Sequence, residues 1–258
     1  MPTLEKLEIQ EKMNIQAIIP FCYYDERYIY FTIDNILPVC NKVRVSYSQK
    51  LLGGDPEDLD CVEKLKDHYK DNERVIFTEY SVPDDLHITQ KHNISRNTLM
   101  DIAVKDNATH LFLVDADEVF EAAKLKHWLD SSFHPGKPCY SFLNYWYFRD
   151  ITNQATAFEH SPMLIKKELY NSSTRTGPER GAYQHRGYEI VSGEEGLPFC
   201  HHYSWAMTKE VMLLKVRNWG HMGDKDWTSL VEEEFSRDFN GTDFVHGYKY
   251  NKVTPYIK

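Results

Sequence analysis

The run His110-Leu111-Phe112-Leu113-Val114-Asp115-Ala116-Asp117-Glu118 ends a short apolar stretch with two carboxylates one residue apart. Carboxylates placed this way offer oxygen ligands to a hard divalent cation, Mg²⁺ or Mn²⁺, and such an ion usually completes its shell with substrate phosphates. If strand geometry continues past Val114, alternation of side chains sends Asp115 and Asp117 to the same side. The chemistry implied is the binding of a phosphorylated substrate, with a nucleotide-sugar diphosphate the best fit. Asp-x-Asp is a short pattern and recurs at Asp58-Leu59-Asp60 and Asp224-Lys225-Asp226. Only the triplet at 115 follows a continuous apolar run, the mark of a strand covered on both faces. Ligands of open α/β sheets sit at the carboxyl ends of such strands.

The elements that must position this triplet are readable upstream. Asn14 to Pro20 reads as a first strand, and Asp25-Glu26-Arg27 opens a helix with Ile29, Ile33, Ile36 and Leu37 at helical spacing. Lys42 to Ser48 suits a second strand, Leu59 to Tyr69 a helix, Arg74 to Glu79 a third strand, and Asn93 to Lys105 a helix leading into the strand that carries Asp115. Strands alternating with helices predict an α/β fold, a mostly parallel central sheet flanked by helices. Downstream, Cys139 to Arg149 is an aromatic strand and Met163 to Lys167 another, while Ser172 to Glu195 is rich in Gly, charge and turn residues. Helices at Thr208 to Trp219, stopped by Gly220, and at about Trp227 to Arg237 close the chain. A single domain over 1–258 is expected, with a nucleotide-binding half over about 14–120, an acceptor-binding half over about 121–225, and a C-terminal helix and tail over about 226–258.

Composition narrows the partners. A net charge of -9 argues against a nucleic-acid backbone, which demands clustered Lys and Arg. One diphosphate remains compatible, because a bound cation and a few local basic residues neutralise it. The cysteines, Cys22, Cys40, Cys61, Cys139 and Cys200, are odd in number, widely spaced and without a Cys-x-x-Cys pair, as reduced and mostly buried thiols would be. Met1 to Lys12 is charged and lacks the apolar core of a signal peptide, and no run approaches the ~20 apolar residues of a membrane helix. A soluble, cytoplasmic protein is the expectation.

In order along the chain stand Ala17-Ile18-Ile19-Pro20, Asp25-Glu26-Arg27-Tyr28-Ile29, Ser95-Arg96-Asn97 and Val114-Asp115-Ala116-Asp117-Glu118. Further on come His202-Tyr203-Ser204-Trp205 and Lys215-Val216-Arg217-Asn218-Trp219-Gly220-His221. With these motifs, over most of residues 14 to 221, the chain resembles glycosyltransferases of the GT-A fold, particularly family 2-like enzymes. Its C-terminal motif is also similar to that of bisecting N-acetylglucosaminyltransferase-like proteins. The resemblance implies a nucleotide-sugar donor, UDP-linked by preference, a glycan or small-molecule acceptor, and Mn²⁺ or Mg²⁺ stabilising the leaving nucleoside diphosphate. It implies Asp117 as a direct metal ligand and catalytic group, Asp115 on the metal or the donor ribose, and His202 rather than His201 completing the metal site. Arg96, Lys215 and His221 are the expected phosphate contacts, and Pro20, Tyr23 and Asp25 are expected around the nucleotide base, with Tyr23 stacking on it. Inversion needs a carboxylate general base. Glu159, Glu179 and Glu189 lie in the acceptor half, and Glu189, between Tyr188 and Ile190, is the one selected.

Three rivals share part of this pattern. A haloacid-dehalogenase-like phosphatase also uses Asp-x-Asp-x-[Thr/Val], but at the end of its first strand, and its later aspartate is missing because position 228 is Thr. A sugar-phosphate nucleotidylyltransferase needs a Gly-rich loop after the first strand, and Pro20 to Arg27 contains no glycine. A non-catalytic sugar-binding module would use the aromatic segment Tyr140 to Phe148 as a stacking face.

Overall fold

The computed structural model describes residues 13–83, 86, 88–171, 180–184 and 187–258. Four strands build the first half: β1 (Ile15–Pro20), β2 (Lys42–Tyr47), β3 (Val75–Glu79) and β4 (His110–Leu113). They run parallel in the order β3-β2-β1-β4. The crossovers carry helices α1 (Glu26–Ile36), α2 (Leu59–His68) and α3 (Ile88–Lys105). Parallel pairing requires both faces to be covered, and β1 shows how its sequence meets that need. Ile15, Ala17 and Ile19 face Ile29, Ile33 and Ile36 of α1 and Val62 and Leu65 of α2. Ile18 faces Leu99, Met100 and Ala103 of α3 on the other side.

The second half is antiparallel where it joins the first. β7 (Asp150–Lys166) pairs antiparallel with β4, β6 (Cys139–Phe148) antiparallel with β7, and β9 (Cys200–Trp205) parallel with β6. β5 (Glu118–Phe120) closes the row against β9, giving β3-β2-β1-β4-β7-β6-β9-β5. β8 (Glu189–Val191) and β10 (Tyr250–Lys252) add to β6 and β7. The sheet is therefore mixed: its first half is parallel as expected, and its second half mixes both senses. β7 is longer than the Met163 to Lys167 segment that the apolar pattern marks, because its first dozen residues are mostly polar and only partly covered.

β4 and β5 are separated by only four residues, Val114 to Asp117, yet three strands lie between them in the sheet. The sheet must curl back on itself. Rings confirm this: Phe112 on β4, Phe120 on β5 and Phe142 on β6 meet with centroids 5.2–5.5 Å apart. Helix α4 (Ala122–Ser131) seals that aromatic core through Trp128, which packs edge-on against Phe142. The Val114–Asp117 link is a turn, not the continuation of a strand, so the alternation argument for Asp115 and Asp117 does not apply. The turn is fixed instead by hydrogen bonds. Thr32 of α1 donates to the Ala116 carbonyl at 2.8 Å, and Tyr203 N–H donates to the Asp117 carbonyl at 2.9 Å.

Two further helices, α5 (Lys209–Asn218) and α6 (Trp227–Phe235), pack through Met212, Val216, Trp227 and Val231 onto Trp146, Phe148 and Trp205. The loop after β2 reaches across to the end of α5. Asn218 donates to Asp55 at 2.8 Å, and at Gly53 the two backbones approach so closely that a Cβ would strike the Arg217 carbonyl. The cysteines are all free thiols, four of them buried. Among the described residues no helix is long and apolar enough to cross a membrane.

Replacing Thr32 by Val keeps the shape but strands the buried Ala116 carbonyl, an expected loss of about 1–3 kcal/mol in urea unfolding. Thr32→Ser, which restores the donor, should return most of it. Equal stability of all three proteins would show that the turn does not depend on this bond.

Candidate active site

The curl brings the ends of the chain's motifs to one place. In the β5–β9 register Glu118 lies opposite His202, which sets the imidazole beside Asp117. Asp115, Asp117 and His202 each offer a ligand atom, all within 4.8 Å of one another. Asp117 Oδ1 faces His202 Nε2 at 3.4 Å, close to the ~3 Å that separates neighbouring ligands around one ion with ligand bonds near 2.1 Å. Two carboxylates and an imidazole form a donor set suited to Mn²⁺. The other His202 nitrogen, Nδ1, lies 3.4 Å from Ser161 Oγ, and Ser161 accepts from Asn144 at 2.9 Å. Such outer partners fix the orientation and tautomer of a ligating imidazole. His201 turns the other way, bonding Tyr147 and stacking on Tyr256.

Cations compensate the acids. Lys215, buried on α5, donates to Asp117 Oδ2 at 2.9 Å and to Asp25 at 3.2 Å. Arg96 and Arg180 each hold one oxygen of Asp115, and Arg180 also bridges to Glu118 at 2.9 and 3.0 Å. Fully buried Glu118 braces the turn from beneath by accepting the Asp115 N–H at 2.7 Å. Burial pushes the Asp117 carboxyl up, but Lys215 and His202 outweigh it and hold the group well below the usual carboxylate range. Burial, with the Asp117 and Asp115 charges nearby, pushes Asp25 up to about 7 against the pull of the Lys215 ammonium. Burial would lower the His202 pKa, yet Asp117 and the neighbouring acids raise it above the ordinary imidazole value.

These groups line a cavity of about 470 Å³, within the usual range for small-molecule sites. Pro20, Cys22, Tyr24, Leu52, Tyr80 and Ser95 also line it, as do Trp146, Glu159, Trp219, Trp227 and His246. Of the residues selected from sequence, Pro20, Asp25, Arg96, Asp115, Asp117, His202, Lys215 and His221 all line it. His221 is at the exposed rim beside Asp224. Tyr23 is not among the lining residues; its ring packs on the core, and the next residue, Tyr24, takes the cavity position. Glu189 lies on β8 away from the cavity, half exposed and paired with Lys137 at 3.1 Å. Glu179 falls outside the described residues. Sequence reasoning missed Glu118 and Arg180. Glu118 carried a signal, a third acid beside the triplet, whereas Arg180 stands in a turn-rich stretch with no pattern around it.

No protein-family model and no curated protein sequence matches the chain. Solved structures do. A Bacillus anthracis protein described as a glucose-1-phosphate thymidylyltransferase aligns at TM-score 0.44 and 12% identity, over 88% of this chain and 96% of its own. The inositol-1-phosphate CTP transferase of T. maritima aligns at 0.47 and 10%, over 86% and 97%. The glycosyltransferase GlyE of Streptococcus pneumoniae TIGR4 aligns at 0.43 and 11%, over 87% of this chain and 64% of its own. Likeness at this level leaves the site itself to carry the functional reading.

Ser161→Ala should loosen His202 and leave Asp115 and Asp117 in place, while Glu118 loses one hydrogen bond and keeps Arg180. The expected result is a Mn²⁺ requirement raised about 10–100-fold with unchanged thermal unfolding, the usual effect of losing an outer partner. An unaltered metal titration would mean that the Ser161 contact does not position the ring.

Proposed function

We propose that the protein is a metal-dependent glycosyltransferase that moves a sugar from a nucleotide-diphosphate sugar, UDP-linked by preference, to a hydroxyl of a glycan or small-molecule acceptor, with inversion. The observation that carries this reading is the convergence of Asp115, Asp117 and His202 in a cavity that also holds Arg96 and Lys215. Asp117 and His202 fit a divalent cation, with Asp115 completing the set on release of one of its arginines. When bound, the ion supplies Lewis-acid stabilisation of charge on the departing diphosphate.

The chain's own residues do the rest. Asp25, Asp115, Asp117 and Glu118 face Arg96, Arg180, Lys215 and His202, so acids and bases are closely interleaved. A dication and a diphosphate carry opposite charges, and each offsets the other when both enter such a site. Arg96 and Arg180, when displaced from Asp115, are placed to turn their guanidinium forks to phosphate oxygens. The pocket of Pro20, Tyr24, Leu52 and Tyr80 offers flat and apolar surface for a nucleobase.

Calorimetry with UDP-sugars, then GDP-sugars, with Mn²⁺ and with EDTA, tests this reading. Metal and nucleotide should each tighten the other's binding by about 5–150-fold, the ordinary range of coupling between two ligands. Asp117→Asn should abolish the metal-dependent component while the protein stays folded, since Lys215 keeps Asp25 as partner. Metal-independent binding in the wild type, or unchanged turnover in the variant, would sink the assignment.

A further inference from the structure

Five carboxylic acids line the cavity among the described residues: Asp25, Asp115, Asp117, Glu159 and Asp224. The first three are engaged by Lys215, Arg96 or Arg180. Asp224 is more than half exposed at the rim, tied to His221. Glu159 differs from all of these. It sits on β7, three-quarters buried, and its Oε1 accepts from the Tyr248 hydroxyl at 3.1 Å and faces His246 Nε2 at 3.5 Å. Its Oε2 has no protein partner among the described residues.

The strand aims it. His160 turns to the opposite face, onto Ser141 and the ring of Tyr188. Glu159 and Ser161 therefore share the cavity side of β7, and Ser161 contacts His202. The indole of Trp146 spans the interval: His202 packs on it at 4.8 Å between centroids and His246 at 5.0 Å, both edge-on. The acids of the cation site and Glu159 thus flank the buried indole of Trp146 and line the same cavity. The loop bearing His246 and Tyr248 is pinned by buried Asp243. Its Oδ1 accepts N–H bonds from Val245, His246 and Gly247, and its Oδ2 accepts from Tyr248 N–H and the Tyr250 hydroxyl.

We infer that Glu159 is the general base of the transfer. This inference rests on the glycosyltransferase reading and deepens it. Oε2 of Glu159 takes the proton of the acceptor hydroxyl as that oxygen's electron pair forms the new bond to the anomeric carbon. The bond from that carbon to the diphosphate oxygen breaks, and the nucleoside diphosphate leaves with the electron pair. Tyr248 and His246 hold the carboxylate in place.

The test uses the full chain, Mn²⁺ and the nucleotide sugar that binds most tightly in calorimetry, with water and then sodium azide as the attacking species. Glu159→Gln and Glu159→Ala should bind the donor as the wild type does but lose hydrolysis by about 10²-fold or more, the lower bound for a missing general base. Azide needs no deprotonation. It should restore donor turnover in Glu159→Ala by at least about tenfold and yield the glycosyl azide, with no such gain in the wild type. Wild-type hydrolysis in Glu159→Gln, or no azide gain in Glu159→Ala, would overturn the assignment while leaving the transferase reading intact. A wild type that binds no nucleotide sugar would overturn that reading and this inference with it.

Discussion

One buried ammonium holds the site together. Lys215 comes from a helix in the last fifth of the chain and reaches Asp25, in the short helical turn between the first strand and α1, and Asp117, in the turn after the fourth strand. Taking three ionisable groups out of water is costly, and the cost is repaid only when the geometry is close and the charges compensate. The arrangement therefore tolerates little displacement of any of its three elements. Supports nearby serve the same end: Gly53 lets the loop after β2 close on the end of α5, and Thr32 pins the turn that carries Asp117.

The curl of the sheet is the second constraint. A flat sheet would leave β4 and β5 at separate places in the row, and four residues do not cross three strands. Packing of Phe112, Phe120 and Phe142 closes the curl, so an apolar core sets the position of a polar site. The acids then gather at the carboxyl end of β4, where the parallel half gives way to the mixed half, and the cavity opens between them.

Much of this was legible in the sequence, and the failures have physical causes. The parallel half could be read because buried strands and amphipathic helices write strong periodicities, and the predicted boundaries there fall within a few residues of those found, α3 excepted, which begins at Ile88. The acids at 115 and 117 were readable because an apolar run precedes them. The reason first given for their shared direction, strand alternation, was not the operative one; a turn held by Thr32 and Tyr203 does it. Tyr23 and Tyr24 are adjacent aromatics, and only the short helical turn between β1 and α1 decides which enters the cavity. β7 hid because one of its faces is only partly covered. Glu159 and Glu189 look alike in sequence, each an acid beside aromatic or apolar neighbours, and sheet position alone separates them.

The Asp243 hub has a consequence for selectivity. A loop whose backbone N–H groups converge on one buried carboxylate has already surrendered its conformational freedom when the protein folds. The wall carrying Val245, His246 and Tyr248 thus meets an incoming molecule as a finished surface, and no ordering cost is charged to the encounter on that side. Such a wall selects by shape and rejects what does not fit, in the manner of a mould rather than a hand.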